Sequence, residues 1–136
     1  MRILVLCTGN SCRSQMAHGY LQRFGGSAVE VYSAGMETHG VNELAIAVML
    51  EDGINIVHHT SNQVDEYRDI PFDHVITVCD NAKEVCPFFP ADVRQHHRNF
   101  PDPSKVIGTE QEILTAFRKT RDEIKLYCKQ FIAQYA

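Results

Sequence analysis

The chain has 136 residues, 44% of them hydrophobic and 22% charged, with a formal net charge of −4. That length and balance suit one globular domain over residues 1–136 with its own core, and the acidic excess argues against a nucleic-acid or anionic-membrane partner. The longest purely apolar run, Leu44 to Leu50, falls far short of the roughly 20 residues of a membrane span.

Residues 2–7 (RILVLC) read as a buried strand, followed closely by Gly9. Ser14 is placed to cap a helix running to about Phe24, with Met16, Ala17, Tyr20, Leu21 and Phe24 on one face and Gly25-Gly26 as its stop. A second strand is expected over 29–33, closed by Gly35, and a helix over 42–51, ended by Gly53. Thr60-Ser61 is expected to open a short helix into Tyr67, and residues 74–79 (HVITVC) form a third strand. From Asp80 to Pro103 four prolines and weak periodicity predict a long loop with one short strand near 96–98. The last segment, 110–134, is an amphipathic helix carrying Ile113, Leu114, Phe117, Ile124, Tyr127, Cys128, Phe131 and Tyr135 at helical spacing. This alternation predicts an α/β fold, a single four-stranded parallel sheet with helices on both faces.

Cysteine usage narrows the chemistry. The five cysteines are Cys7, Cys12, Cys79, Cys86 and Cys128, an odd number with no export signal before them. A cytoplasmic protein without a structural disulfide framework is therefore expected. The close gaps, from 7 to 12 and from 79 to 86, are wider than zinc-ligand pairs, and the His58-His59 and His96-His97 pairs lack helical ligand spacing, so no metal site is expected.

The segment "LVLCTGNSCRS" holds the main signal. At the carboxyl end of a parallel strand, the turn from Thr8 through Gly9, Asn10, Ser11, Cys12 and Arg13 to Ser14 leads into a helix N-terminus. Such a turn directs backbone N–H groups at an anion. Gly9 and Asn10 are the residues suited to a left-handed backbone there. Arg13 adds a planar fork for a tetrahedral oxyanion. The same field favours a Cys7 thiolate, with a pKa expected in the ~3.5–7.5 range of activated cysteines. Ser14 is expected to donate to the Cys7 sulfur. A nucleophile inside an anion nest implies covalent attack on the bound oxyanion. Cys12 is expected behind the nest, and Cys128 in the core.

"CTGNSCRSQMAHGYL" resembles the phosphate-loop signature of the low-molecular-weight tyrosine phosphatase fold, and its "SQMA" continuation is similar to the arsenate reductase branch. The resemblance extends to "FPDPS", which gives Asp102 the role of general acid. It also covers "VITVCDNAKEVCPFFP", whose Cys79 and Cys86 match the two further cysteines of thioredoxin-coupled arsenate reductases, and the C-terminal "RDEIK". It implies an enzyme that reduces arsenate through a Cys7 adduct. A disulfide then passes from Cys7–Cys79 to Cys79–Cys86 and is reduced by thioredoxin. The bottom-up reading agrees in one respect: RILVLC and HVITVC are both apolar strands ending in cysteine, so both sulfurs belong on one rim of the sheet.

Some family members hold potassium through oxygens, and Asn10 and Ser33 match part of that site. His18 and Asn62 stand where acidic residues are common, so no tight cation site and no organic cofactor are expected. A monomer is expected. Two rivals stay open: a phosphatase using Cys7, Arg13 and Asp102 without Cys79 and Cys86, and a non-catalytic anion or redox sensor.

Overall fold

The computed structural model describes residues 1–84 and 89–136. Four strands, β1 (Arg2–Cys7), β2 (Glu30–Gly35), β3 (His74–Thr77) and β4 (Arg94–His97), form one sheet in the order β2-β1-β3-β4. Every pairing is parallel. The helices are α1 (Arg13–Gly25), α2 (Glu43–Glu51), α3 (Asp80–Glu84) and α4 (Glu110–Tyr135). The expected four-stranded parallel α/β architecture is thus the observed one.

The central strand is apolar because water reaches neither of its faces. Ile3, Leu4, Val5 and Leu6 are all fully buried. Side-chain alternation sorts the two faces. His74, in register with Ile3, packs its ring against Phe131 of α4. Leu4 and Val75, one residue on, point the other way, and Leu4 meets Tyr67 and Phe72 around a cavity of about 300 Å³. Helix α4 lays a stripe of Phe117, Thr120, Ile124, Cys128 and Phe131 into the core at spacings of three and four residues. Cys128 is fully buried and donates to Ala17 O of α1 at 3.7 Å, a core thiol as expected.

Local signals explain the element ends. Asn42 caps α2 through Oδ1, which accepts from Leu44 N and Ala45 N, and Gly53 follows it with a φ of 78°. Thr109 and Glu112 form a reciprocal capping box at the start of α4. No described helix is long and apolar enough to cross a membrane.

Several expectations need correction. Strand β2 runs through Gly35 because Gly35 still pairs with Cys7. Strand β3 ends at Thr77, and β4 covers Arg94–His97. Thr60 and Ser61 open no helix. Thr60 O accepts from Gln15 and Ser61 Oγ donates to Gly9 O, and the helical turn is a short 3-10 segment, Val64–Tyr67, capped by Gln63. Within the expected long loop lies α3, directly after Cys79.

The register puts the carboxyl ends of all four strands on one rim. Cys7 lies beside Gly35, and Thr77 beside His97. Val78 N still donates to Leu6 O at 3.0 Å, so Cys79 follows directly on that rim.

Candidate active site

The turn after β1 is shaped by what its carbonyls do. Thr8 O accepts from Glu37 N, Gly9 O from His39 N, Asn10 O from Gln15 Nε2, Ser11 O from Asn42 N and Cys12 O from Met16 N. A trans peptide points C=O and N–H in opposite directions. Five carbonyls held outward therefore turn the following N–H groups, those of Gly9 to Arg13, toward the inside of the loop. The free N–H groups at the start of α1 add to them.

The left-handed residue is Asn10, with a φ of 48°, and Gly9 is not at positive φ. Asn10 is fixed there by its side chain: Nδ2 donates to Ser14 Oγ at 2.8 Å, and Oδ1 accepts from Asn62 N at 2.8 Å. Gly9 is needed for space, because a Cβ there would stand 2.5 Å from the His39 ring. Gly35 is needed for the same reason. A Cβ on it would lie 2.7 Å from Asn10 N and from Thr8 O.

Ser14 departs from both of its expected roles. Helix α1 begins at Arg13 with Cys12 as its cap residue, and no side chain makes a cap bond. The fully buried Ser14 hydroxyl is engaged by Asn10 instead of the Cys7 sulfur. It stiffens the nest from within.

Arg13 is buried, and its guanidinium is held at one corner by Nη1 donating to Phe100 O at 2.9 Å. Nη2 lies 3.5 Å from Asp102 Oδ2. Nε is buried with no protein acceptor. A buried guanidinium N–H without a partner is costly, and here it belongs to the fork Nε–Nη2 that faces the nest. Asp102 Oδ1 accepts from Ser104 N and Oγ, at 3.0 and 2.6 Å. These groups border a cavity of about 260 Å³ lined by Cys7, Cys12, Arg13, Asp102 and, at its mouth, Glu37, His39, Ser104 and Lys105.

A second sulfur lies beside this floor: Cys7 and Cys79 are both buried, and each shifts the other's ionisation. Cys79 Sγ also lies 3.4 Å from Thr8 Oγ1 and accepts from Ala82 N at 3.4 Å. Cys7, aided by those two donors and by Arg13, pulls the Cys79 thiol down to about 5. Cys79, together with burial, pushes Cys7 well above the ordinary thiol range, against the pull of Arg13 and Thr8 N–H. The expectation of a depressed pKa at Cys7 alone therefore passes to the Cys7–Cys79 pair. A second buried sulfur beside Cys7 couples the two ionisations, so one charge belongs to the pair. Burial also raises Cys12, to about 12, so it stays a neutral thiol, although it lines the cavity and does not lie behind the nest as expected.

Cys86 lies outside the described residues. Among those described, the fold brings Cys7, Arg13, Cys79 and Asp102 into one site with the loop Thr8–Ser14 around it. Sequence reading missed Phe100, whose carbonyl aims Arg13, and Asn81, whose Nδ2 donates to Thr8 Oγ1 at 3.1 Å. Neither carries a local motif, since each acts through a tertiary contact.

The residues that could line a cation site are already paired. Asn10 Oδ1 takes Asn62 N, and Ser33 Oγ lies 2.9 Å from His18 Nδ1. His18 stacks on His59 at 4.3 Å, and burial, with the neighbouring His59 and His58, drives it down to about 3, so the imidazole is neutral. This donor set does not fit an oxygen cage for a monovalent cation.

Comparison with known proteins agrees with the geometry. Residues 2–136 match the family described as low molecular weight phosphotyrosine protein phosphatase. A protein named arsenate reductase from Oceanobacillus iheyensis is 48% identical over 122 residues, 90% of this chain and 88% of that one. Another from Bacillus subtilis is 44% identical over 129 residues, 95% of this chain and 93% of that one. A solved structure titled an arsenate reductase in oxidized state superposes with a TM-score of 0.86 at 28% identity, covering 99% of this chain and 98% of that one. A family match over nearly the whole length and relatives at 44% and 48% identity lead to one conclusion: the chain belongs to the low molecular weight phosphotyrosine protein phosphatase family.

Proposed function

We propose that this protein reduces arsenate to arsenite, the activity its relatives are named for, and that it does so through a thiol relay. The observation that carries the reading is a second buried sulfur beside the oxyanion nest: Cys79, whose Sγ lies 3.4 Å from Oγ1 of Thr8, the residue after Cys7. Phosphoester hydrolysis needs one sulfur there, and reduction needs two. The cavity mouth supports the same choice: among the described residues it is lined by Glu37, His39, Ser104 and Lys105, with no Phe or Tyr ring to hold a phosphotyrosine side chain.

The nest amides and the Arg13 fork hold the oxyanion with arsenic over Cys7. Cys7 attacks; a sulfur–arsenic bond forms and one arsenic–oxygen bond breaks. The departing oxygen takes the proton of the sulfur pair and a second proton delivered by Asp102, and it leaves as water. Cys79, as the thiolate, then attacks the Cys7 sulfur. A Cys7–Cys79 bond forms, the sulfur–arsenic bond breaks, and its electron pair reduces arsenic from the pentavalent to the trivalent state. Cys86 attacks Cys79, frees Cys7 and leaves a Cys79–Cys86 disulfide. A thioredoxin-type dithiol reduces that bond by exchange. The chain's own groups suffice for these steps without an organic cofactor, and we place the protein in the reducing cytoplasm as a monomer.

The decisive assay follows arsenite release with thioredoxin, thioredoxin reductase and NADPH, beside hydrolysis of p-nitrophenyl phosphate. Arsenite formation with NADPH consumption, and weak ester hydrolysis, is the expected result. Brisk ester hydrolysis without arsenite would assign the protein to phosphatase chemistry.

A further inference from the structure

On the rim beyond the nest, three residues outside the relay form a chain of contacts. His97, the last residue of β4, places Nε2 at 2.7 Å from Asp80 Oδ1 and Nδ1 at 2.7 Å from Thr77 Oγ1. A carboxylate only accepts, so Nε2 carries the proton toward Asp80. Asp80 is the first residue of α3 and directly follows Cys79. Its backbone N–H is taken by Asn99 Oδ1 at 3.1 Å, so side chain and main chain are both tied to the segment after β4. Arg98 N and Phe100 N extend the strap onto Thr77 O and Val78 O.

What this strap holds is the first turn of α3, and that turn serves the sulfur. Ala82 N donates to Cys79 Sγ, and Asn81 Nδ2 donates to Thr8 Oγ1, which lies 3.4 Å from the same sulfur. Both contacts of the Cys79 sulfur thus depend on where the short helix begins. A helix of five residues has little stability of its own, because nucleation costs more than one turn of bonds returns. Its start must be fixed from outside.

We propose that His97 is a positioning residue for the second step of arsenate reduction. Acting through Asp80, it clamps the start of α3 so that the Cys79 sulfur is aimed at Cys7 when the sulfur–sulfur bond forms and the sulfur–arsenic bond breaks. The proposal rests on the reductase reading given above. His97 touches neither the oxyanion nest nor Asp102, so it bears on the first attack by Cys7 far less than on the step at Cys79.

The test compares wild-type protein with His97→Leu, Asp80→Ala and His97→Gln. It measures the single-turnover rate of Cys7–Cys79 bond formation with arsenate, p-nitrophenyl phosphate hydrolysis, and amide exchange at residues 80–84. Asp80 is exposed, so Asp80→Ala keeps the fold and breaks the clamp from the other side. The expected result is bond formation slowed on the order of tenfold or more in His97→Leu and Asp80→Ala, since misplacing a reacting atom by about 1 Å can cost ~10²-fold. Exchange at 80–84 rises, ester hydrolysis changes far less, and His97→Gln, which keeps a donor for Asp80, recovers most of the rate. Unchanged bond formation and exchange in both clamp variants, or equal loss of both activities, would overturn the clamp. A wild-type protein that forms no arsenite counts against the reductase reading; exchange at 80–84 then judges the clamp by itself.

Discussion

Thr8 Oγ1 lies 3.4 Å from Cys79 Sγ, and the amide of Asn81 donates to that same oxygen; toward a Cys79 thiolate, which only accepts, the Thr8 hydroxyl is the donor. The residue after the nucleophile thus serves the second sulfur. Thr8→Val keeps the shape and removes the donor. It is expected to raise the pH at which Cys79 ionises, read from the ultraviolet thiolate absorbance, and to slow Cys7–Cys79 bond formation. Once Cys7 carries arsenic its shared ionisation with Cys79 is lost, and Thr8, Ala82 N–H and Arg13 remain to favour the Cys79 thiolate. The rate of this step should fall as pH is lowered and the sulfur is protonated, and should begin to fall at higher pH in Thr8→Val than in wild type. A flat profile to lower pH would show that Cys79 is not the attacking thiolate.

The two sulfurs should separate by activity. Cys7→Ser is expected to abolish both arsenite release and ester hydrolysis, because a serine hydroxyl is a far weaker nucleophile than the sulfur. Cys79→Ser is expected to lose arsenite release and retain ester hydrolysis, which finishes with water. Full arsenate turnover in Cys79→Ser, followed by arsenite analysis, would remove the relay.

Asp102→Asn should slow both reactions, a general acid typically contributing ~10²–10⁴-fold. Its Ser104 contacts are kept by the amide oxygen, so binding of phosphate as an inhibitor should change much less than the rate. Equal rates in mutant and wild type across the pH range would exclude Asp102 from the proton transfer.

His18 makes the fold acid-sensitive. Its ordinary value is 6.5 and burial lowers it to about 3 in the folded chain, so between those values the unfolded chain binds the extra proton. Stability therefore rises with pH in that window. The full contribution is present above 6.5 and is lost as pH falls toward 3, by up to about 1.4 kcal/mol per unit. Denaturant titrations at pH 7 and 4.5 should show a steeper acid loss for wild type than for His18→Gln. Identical pH slopes would show that His18 is not the group responsible.

Helix α3 also bears on the transfer from Cys79 to Cys86. Helical rise of ~1.5 Å per residue would leave Cα atoms seven residues apart separated by about 10 Å, whereas a disulfide needs them within about 7 Å. Were the path of α3 continued to Cys86, the segment would have to leave it as the bond moves. Oxidised protein should exchange amides of residues 80–100 faster than reduced protein, with β1 unchanged. Cys86→Ser should complete one turnover and stop as Cys7–Cys79. Continuous thioredoxin-driven turnover of Cys86→Ser would rule the transfer out.

Much of the fold was legible because its signals are local. Residues 2–7 form a strand that is apolar throughout, α4 carries its buried stripe at helical spacing, and Asn42 and Gly53 bound α2 by capping and by a positive φ. The nest was legible because strand, turn and helix follow one another in the sequence. The electrostatics of the sulfur pair were not, because Cys7 and Cys79, which shift each other's ionisation, are far apart in sequence. For the same reason Ser14 was misread as a cap: its partner Asn10 is set by a left-handed turn that local propensity allows but does not place. Gly35 looked like a strand terminator, and its real constraint, a loop backbone lying against it, is visible only in three dimensions.

The outward carbonyls of the turn are held by Glu37, His39 and Asn42, and Ser61 adds a second bond to Gly9 O. The loop is therefore already in its receiving shape when an anion arrives. Its ordering entropy is lost during folding and not during binding, so association should proceed without a slow conformational phase. Damage to the segments at 37–42 or 61 should then surface as weaker anion affinity with the chemistry at sulfur intact, a distal defect recognisable by its entropic signature in calorimetry.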